Sequence, residues 1–222
     1  TETTLANLLA RYQGNRNDIR EDYSEELSEI GVESRKELEK AMLSEFETYG
    51  GKVYDEVKAV VEEFAKELGR LIAKSGNILV YGAEKEYTSL STEAAKVASS
   101  YDGITIGVAG GKSKNVYGEF RPTVLINSGL EIGGGREFNL VLSCDVIIAI
   151  SGGSGTLTEM AIAYQAGIPI IVVDKFGGWA DKLSNEFIDD RKRLKCISCK
   201  NENDALKKAI KEGMKKYENT KC

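Results

Sequence analysis

Six residues, Ser151-Gly152-Gly153-Ser154-Gly155-Thr156, combine a flexible backbone with small hydroxyl donors. They follow the apolar run Val146–Ile150 and precede the helical pattern of residues 157–166. Three glycines in four positions let the chain turn tightly and approach a ligand without interference from a Cβ. A helix that starts here presents unpaired N–H groups and the positive end of its dipole to the same space. Phosphate is the natural occupant of such a seat. Gly152, Gly153, Ser154, Gly155 and Thr156 are therefore the expected phosphate-binding residues.

Two charged residues bracket this loop. Glu159 lies one turn into the helix, and Arg136 opens the preceding helical stretch directly after Gly133-Gly134-Gly135. An arginine can hold a phosphate or a leaving base, and a carboxylate can bind ribose hydroxyls or orient water. The alternative is a plain salt bridge between two helix surfaces. Gly82, at the end of another apolar run, is expected to line the rest of the pocket with Gly134 and Gly135. A second glycine-rich stretch, Gly107-Val108-Ala109-Gly110-Gly111-Lys112-Ser113, falls short of a P-loop. Three residues rather than four separate Gly107 from Gly111, and no helical pattern follows.

Composition narrows the chemistry. The chain has no histidine, which removes Ser-His-Asp and Cys-His nucleophile schemes and histidine metal sites together. Of four cysteines only Cys196 and Cys199 form a CxxC, too few ligands for a structural zinc site, and they read as structural. No metal or other cofactor is expected. A net charge of −5 gives no field to attract nucleic acid, and Arg191-Lys192-Arg193 and the C-terminal lysines read as solvated helix ends. No apolar run reaches the ~20 residues of a membrane span, and no signal-like segment opens the chain. A cytoplasmic protein without a membrane or nucleic-acid partner is the expectation.

The positioning elements follow from periodicity. Residues 1–50 are polar and helical in pattern, an N-terminal helical extension, and Gly50-Gly51 marks the boundary. Residues 53–74 read as one long amphipathic helix. Strands are expected at 78–82, 104–108, within 122–127, at 146–150, 170–173 and 194–198. Helices are expected at 88–100, 136–143, 157–166, 179–186 and 202–217. Alternating apolar strands and helices over 51–222 predict an α/β, Rossmann-like doubly wound parallel sheet, a nucleotide-binding domain with its site at the C-terminal strand ends.

With these residues in hand, 136–159 resembles the LOG family, lysine decarboxylase-like proteins that act as nucleoside 5′-monophosphate phosphoribohydrolases and carry a PGGxGTxxE motif. The stretch here runs Ser151-Gly152-Gly153-Ser154-Gly155-Thr156-Leu157-Thr158-Glu159, with serine for proline, and Arg136 stands nine residues before Asp145, as in the family. The Ser151 form and Gly177-Gly178-Trp179-Ala180-Asp181 are more similar to the branch that includes molybdenum-cofactor carrier proteins. The resemblance covers about residues 60–212. It implies Arg136 and Glu159 as a catalytic pair, cleavage of an N-glycosidic bond through an oxocarbenium-like state, and a homodimer or larger homo-oligomer. The sequence departs from the family pattern in two places. No apolar strand precedes the helix at 53–74, and the glycine loop expected after Gly82 is instead Ala83-Glu84-Lys85-Glu86-Tyr87. Two function classes stay open: a nucleotide N-glycosidase, and a non-catalytic binder of a nucleotide-like or pterin-type molecule.

Overall fold

A long helix, α1, covers residues 58–74 and buries Val61, Phe64, Ala65, Leu68 and Ile72 on one face, the three-and-four spacing of an amphipathic helix. It closes where the Ser75 and Gly76 N–H groups bond back to Leu71 and Ala73. The structure, a computed structural model, describes residues 58–84, 87–111, 116, 118–130 and 135–219. The N-terminal extension expected over 1–50 lies outside these residues.

After α1 come β1 (Leu79–Ala83), α2 (Leu90–Ser100), β2 (Thr105–Ala109) and β3 (Val124–Asn127). The second half runs α3 (Arg136–Leu142), β4 (Ile147–Ile150), α4 (Ser154–Ala166), β5 (Ile170–Val173), α5 (Gly178–Lys182), β6 (Ile197–Cys199) and α6 (Glu202–Asn219). Every strand pairing is parallel, as βαβ connections require. The α/β Rossmann-like architecture is therefore present, with helices flanking parallel strands.

The sheet comes in two parts. Strands β1-β2-β3 form one three-stranded sheet and β4-β5-β6 another. Among the described residues no ladder joins β1 to β4. The halves are instead held by shared helices. On one face Phe64, Leu68 and Ile72 of α1 pack in one cluster with Ile171 and Val173 of β5, and Leu79 of β1 and Ile148 of β4 pack against it. On the other face Val141 of α3 joins Ala149, Met160, Ile170 and Val172, while α3 also contacts β1 and β2.

Two elements differ from their expected bounds. The helix expected over 179–186 stops at Lys182, because Asn185 takes a left-handed φ of 56° and the chain turns. The edge strand expected over 194–198 starts at Ile197. Lys195 is engaged instead in an antiparallel bridge to Phe187, and the Cys196 N–H donates to the Glu186 carbonyl at 2.9 Å.

Candidate functional site

The loop after β4 is built around backbone that only some residues tolerate. Ser151 and Gly152 both adopt positive φ, 53° and 98°. A Cβ at Gly152 would stand 2.1 Å from Thr156 Oγ1, so glycine is required there. At Gly153 and Gly155 a Cβ would meet nothing within 4 Å. These two glycines are not demanded by packing and leave the space before α4 open.

Helix α4 begins at Ser154 with Gly153 as N-cap and no side-chain cap. The Leu157 N–H is the first to bond back, to the Gly153 carbonyl at 3.1 Å. The N–H groups of Ser154, Gly155 and Thr156 precede that first bond and belong to the turn a helix leaves without intrahelical acceptors. The loop is clamped from behind by α5. Trp179 and Ala180 donate backbone N–H groups to the Gly152 and Ser151 carbonyls at 3.0 and 3.1 Å. Gly178, at φ 70°, lies so close that a Cβ would sit 2.6 Å from the Gly152 oxygen.

Arg136 is the first residue of α3 and only 4% exposed. Its guanidinium lies against the backbone of β1, where a Cβ on Gly82 would fall 2.2 Å from Nη1. Its Nη2 donates to Glu137 Oε1 at 3.2 Å. Nη1 stands 3.2 Å from Glu84 Oε1, an ion pair whose geometry falls outside a hydrogen bond. Nε–H and Nη1–H are therefore buried donors without a hydrogen-bond acceptor among the described residues, an arrangement that calls for a ligand or water.

One cavity of about 1200 Å³ is lined by Gly82, Glu84, Arg136, Glu137, Gly152, Ser154, Gly155, Thr156 and Glu159, among others. The arginine, the glutamate and the loop thus share a pocket. Gly153 does not line it, Gly135 serves as the N-cap of α3, and Gly134 lies outside the described residues. Burial pushes the Glu159 carboxyl up to about 6; nearby Arg136 opposes this, and Glu137 and Glu84 add to it. Three carboxylates face one guanidinium. Sequence reasoning singled out Arg136 but missed Glu84 and Glu137 as its partners and Gly178 as the support of the loop. The charged replacement of a glycine loop after Gly82 was the one available signal for Glu84.

Among the described residues no group of three or more His, Cys, Asp or Glu side chains is placed to hold a metal, and no helix is long and apolar enough to cross a membrane. Cys196 and Cys199 are buried and unbridged, and burial raises both thiols to about 11.

Two parallel half-sheets under helices, with a glycine loop and a buried arginine at the C-terminal strand ends, define a Rossmann-like α/β protein of the LOG and molybdenum-cofactor-carrier superfamily. Within it the chain belongs to the SLOG cluster4 family, whose model matches residues 50–206. An uncharacterized protein of Archaeoglobus fulgidus is 31% identical over 103 residues, 46% of this chain; the chain spans 64% of that relative's length. Among solved structures, TM1055 is similar in fold at 23% identity and a TM-score of 0.62, over 69% of this chain and 89% of the other. The molybdenum cofactor carrier protein of Chlamydomonas reinhardtii is 27% identical with a TM-score of 0.57, over 70% and 89% of the two chains. The molybdenum cofactor binding protein of Rippkaea orientalis is 25% identical with a TM-score of 0.57, over 68% and 86%.

Proposed function

We propose that this protein binds a phosphorylated small molecule of nucleotide or pterin-cofactor type, with the phosphate on the Gly152–Thr156 loop. The observation that carries this reading is the pair of buried donors, Nε–H and Nη1–H of Arg136, in the same cavity as the loop. Glu84 and Glu137 already balance the arginine's charge. Phosphate charge therefore falls to the α4 amides and dipole, and the two free donors suit a neutral acceptor such as a ring carbonyl or ring nitrogen. The structural similarity to proteins described as molybdenum cofactor carriers supports the pterin arm.

The test uses the open space at Gly155. A Cβ there meets nothing within 4 Å and a carboxylate adds favourable charge to a helix N-terminus, so Gly155→Asp should fold at least as stably as the parent. The same carboxylate repels phosphate. Titration calorimetry with AMP, GMP and a phosphorylated pterin should show saturable binding by the parent and none by Gly155→Asp. Equal affinity of the two proteins would remove the loop from the site.

A second reading, hydrolysis of the N-glycosidic bond of a nucleoside 5′-monophosphate, is favoured by Glu159. A carboxyl held near 6 is suited to proton transfer close to neutral pH. Free base released from nucleoside monophosphates, and absent with Glu159→Gln, supports it. No release above that control eliminates it for the nucleotides tried.

A further inference from the structure

Glu84 directly follows β1 and is only 8% exposed. An ionised carboxylate has about four lone-pair sites to satisfy. Here one oxygen faces Arg136 Nη1 in the ion pair at 3.2 Å, and the carboxylate accepts no hydrogen bond among the described residues. A buried carboxylate left in this condition calls for donors. Glu84 lines the main cavity and a neighbouring pocket of about 10 Å³, room for one water at most. A ligand larger than water therefore meets it only from the main cavity.

Its partner has the opposite need. Nε–H and Nη1–H of Arg136 are donors without an acceptor, while Nη2 is committed to Glu137. Close packing against Gly82 fixes the guanidinium at the end of β1. Unused donors and an unused acceptor thus stand side by side in one water-poor place. A ligand that satisfies both offers an acceptor directly beside donors. The phosphate loop stands at the end of β4 and lines the same cavity. A molecule with a phosphate at one end and a polar ring edge at the other matches both.

We propose that Glu84 and Arg136 together read the edge of a 2-amino-4-oxopyrimidine ring, the unit common to guanine and pterin, and select it over adenine. The ring carbonyl accepts from Arg136, and the adjacent ring N–H and amino group donate to the Glu84 carboxylate. Adenine reverses the order. Its amino group meets the guanidinium, and its ring nitrogen sets a lone pair against the carboxylate, which leaves both protein groups unpaired. Glu84 is then a specificity-determining residue. The inference rests on the phosphate reading above, and adds to it which ring the site takes.

The experiment is titration calorimetry of the full chain and of Glu84→Gln with GMP, IMP, AMP and 6-hydroxymethylpterin phosphate. The parent should bind GMP at least about a hundredfold tighter than AMP. IMP, which keeps the carbonyl and ring N–H but lacks the amino group, should fall between. The pterin phosphate should also exceed AMP, and whichever of it and GMP binds tighter identifies the source of the ring. Glutamine carries a donor as well as an acceptor, so Glu84→Gln should narrow the GMP-to-AMP ratio to less than about tenfold. Loss of charge alone strengthens every phosphorylated ligand alike and leaves that ratio unmoved. Two results overturn the proposal. One is a parent ratio near one, as when ribose hydroxyls occupy the pair. The other is a ratio that Glu84→Gln, folded by thermal melt, leaves unchanged. If the parent ratio is near one while Gly155→Asp abolishes binding, the phosphate reading stands and this inference falls. No binding of any of the four ligands removes both.

Discussion

Replacing Glu159 with glutamine should stabilise the protein, and the gain should depend on pH in a way the structure sets. The carboxyl's ordinary value of 4.5 is raised to about 6, chiefly because the site strips water from the charged form. The folded chain thus holds this proton to higher pH than the unfolded chain. For a raised carboxyl, stability is fullest below pH 4.5 and is lost as pH rises through about 6. At about 1.4 kcal/mol per pH unit, the penalty reaches about 2 kcal/mol at pH 7.5 and is about 0.8 kcal/mol at pH 5. Glu159→Gln keeps the volume and removes the charge. Urea unfolding should show the variant more stable than the parent by about 2 kcal/mol at pH 7.5, with an advantage smaller by about 1.2 kcal/mol at pH 5. Destabilisation at pH 7.5, or an equal difference at both pH values, would refute the claim that desolvation dominates at this carboxylate.

Five other outcomes follow from the same geometry. Gly178→Ala should cost at least about 2 kcal/mol in thermal denaturation and loosen the loop, because its Cβ strikes backbone at 2.6 Å. Gly177→Ala, at φ 68° and ψ −159° in open space, should cost only the glycine-specific backbone, about 1–3 kcal/mol. Sulfate, whose charge is constant between pH 5 and 7.5, should bind about tenfold tighter at pH 5 as Glu159 is neutralised, a coupling of about 1.4 kcal/mol; Glu159→Gln should flatten that dependence in calorimetry. Glu84→Gly should remove the ion pair at Arg136 Nη1, leaving the Nη2 bond to Glu137, and raise affinity for AMP about tenfold, by removing one nearby like charge from the anion's surroundings. Iodoacetamide at pH 8 should leave Cys196 and Cys199 unmodified in the folded protein by peptide mass mapping, since both thiols are buried and raised to about 11.

The order of elements was readable because the strands declare themselves as short apolar runs. Ile170–Val173, completely buried, has no other stable use than an interior strand. The glycine loop was readable for a mixture of reasons. Gly152 is needed by backbone and packing, whereas a Cβ at Gly153 or Gly155 would meet nothing within 4 Å, so packing does not account for glycine at either. What stayed hidden depends on pairs distant in sequence. Glu84 and Arg136 meet across the sheet, and Gly178 fits against Gly152 only once α5 folds back. The split between β1 and β4 was unreadable for a different reason. An apolar run shows that a strand is buried but not which strand it pairs with.

The two-part sheet also bears on how the chain reaches this state. Among the described residues each strand pairs with strands of its own half, in sequence order, so these ladders do not have to wait for distant ends of the chain to meet. Short closures of this kind carry little entropic penalty and favour rapid formation. The halves can therefore form as separate cooperative units, one from the first part of the chain and one from the second, with α1 and α3 joining them afterwards. The least costly opening of the native molecule then lies along the seam between β1 and β4, and it widens the same cavity in which Arg136 and the glycine loop stand.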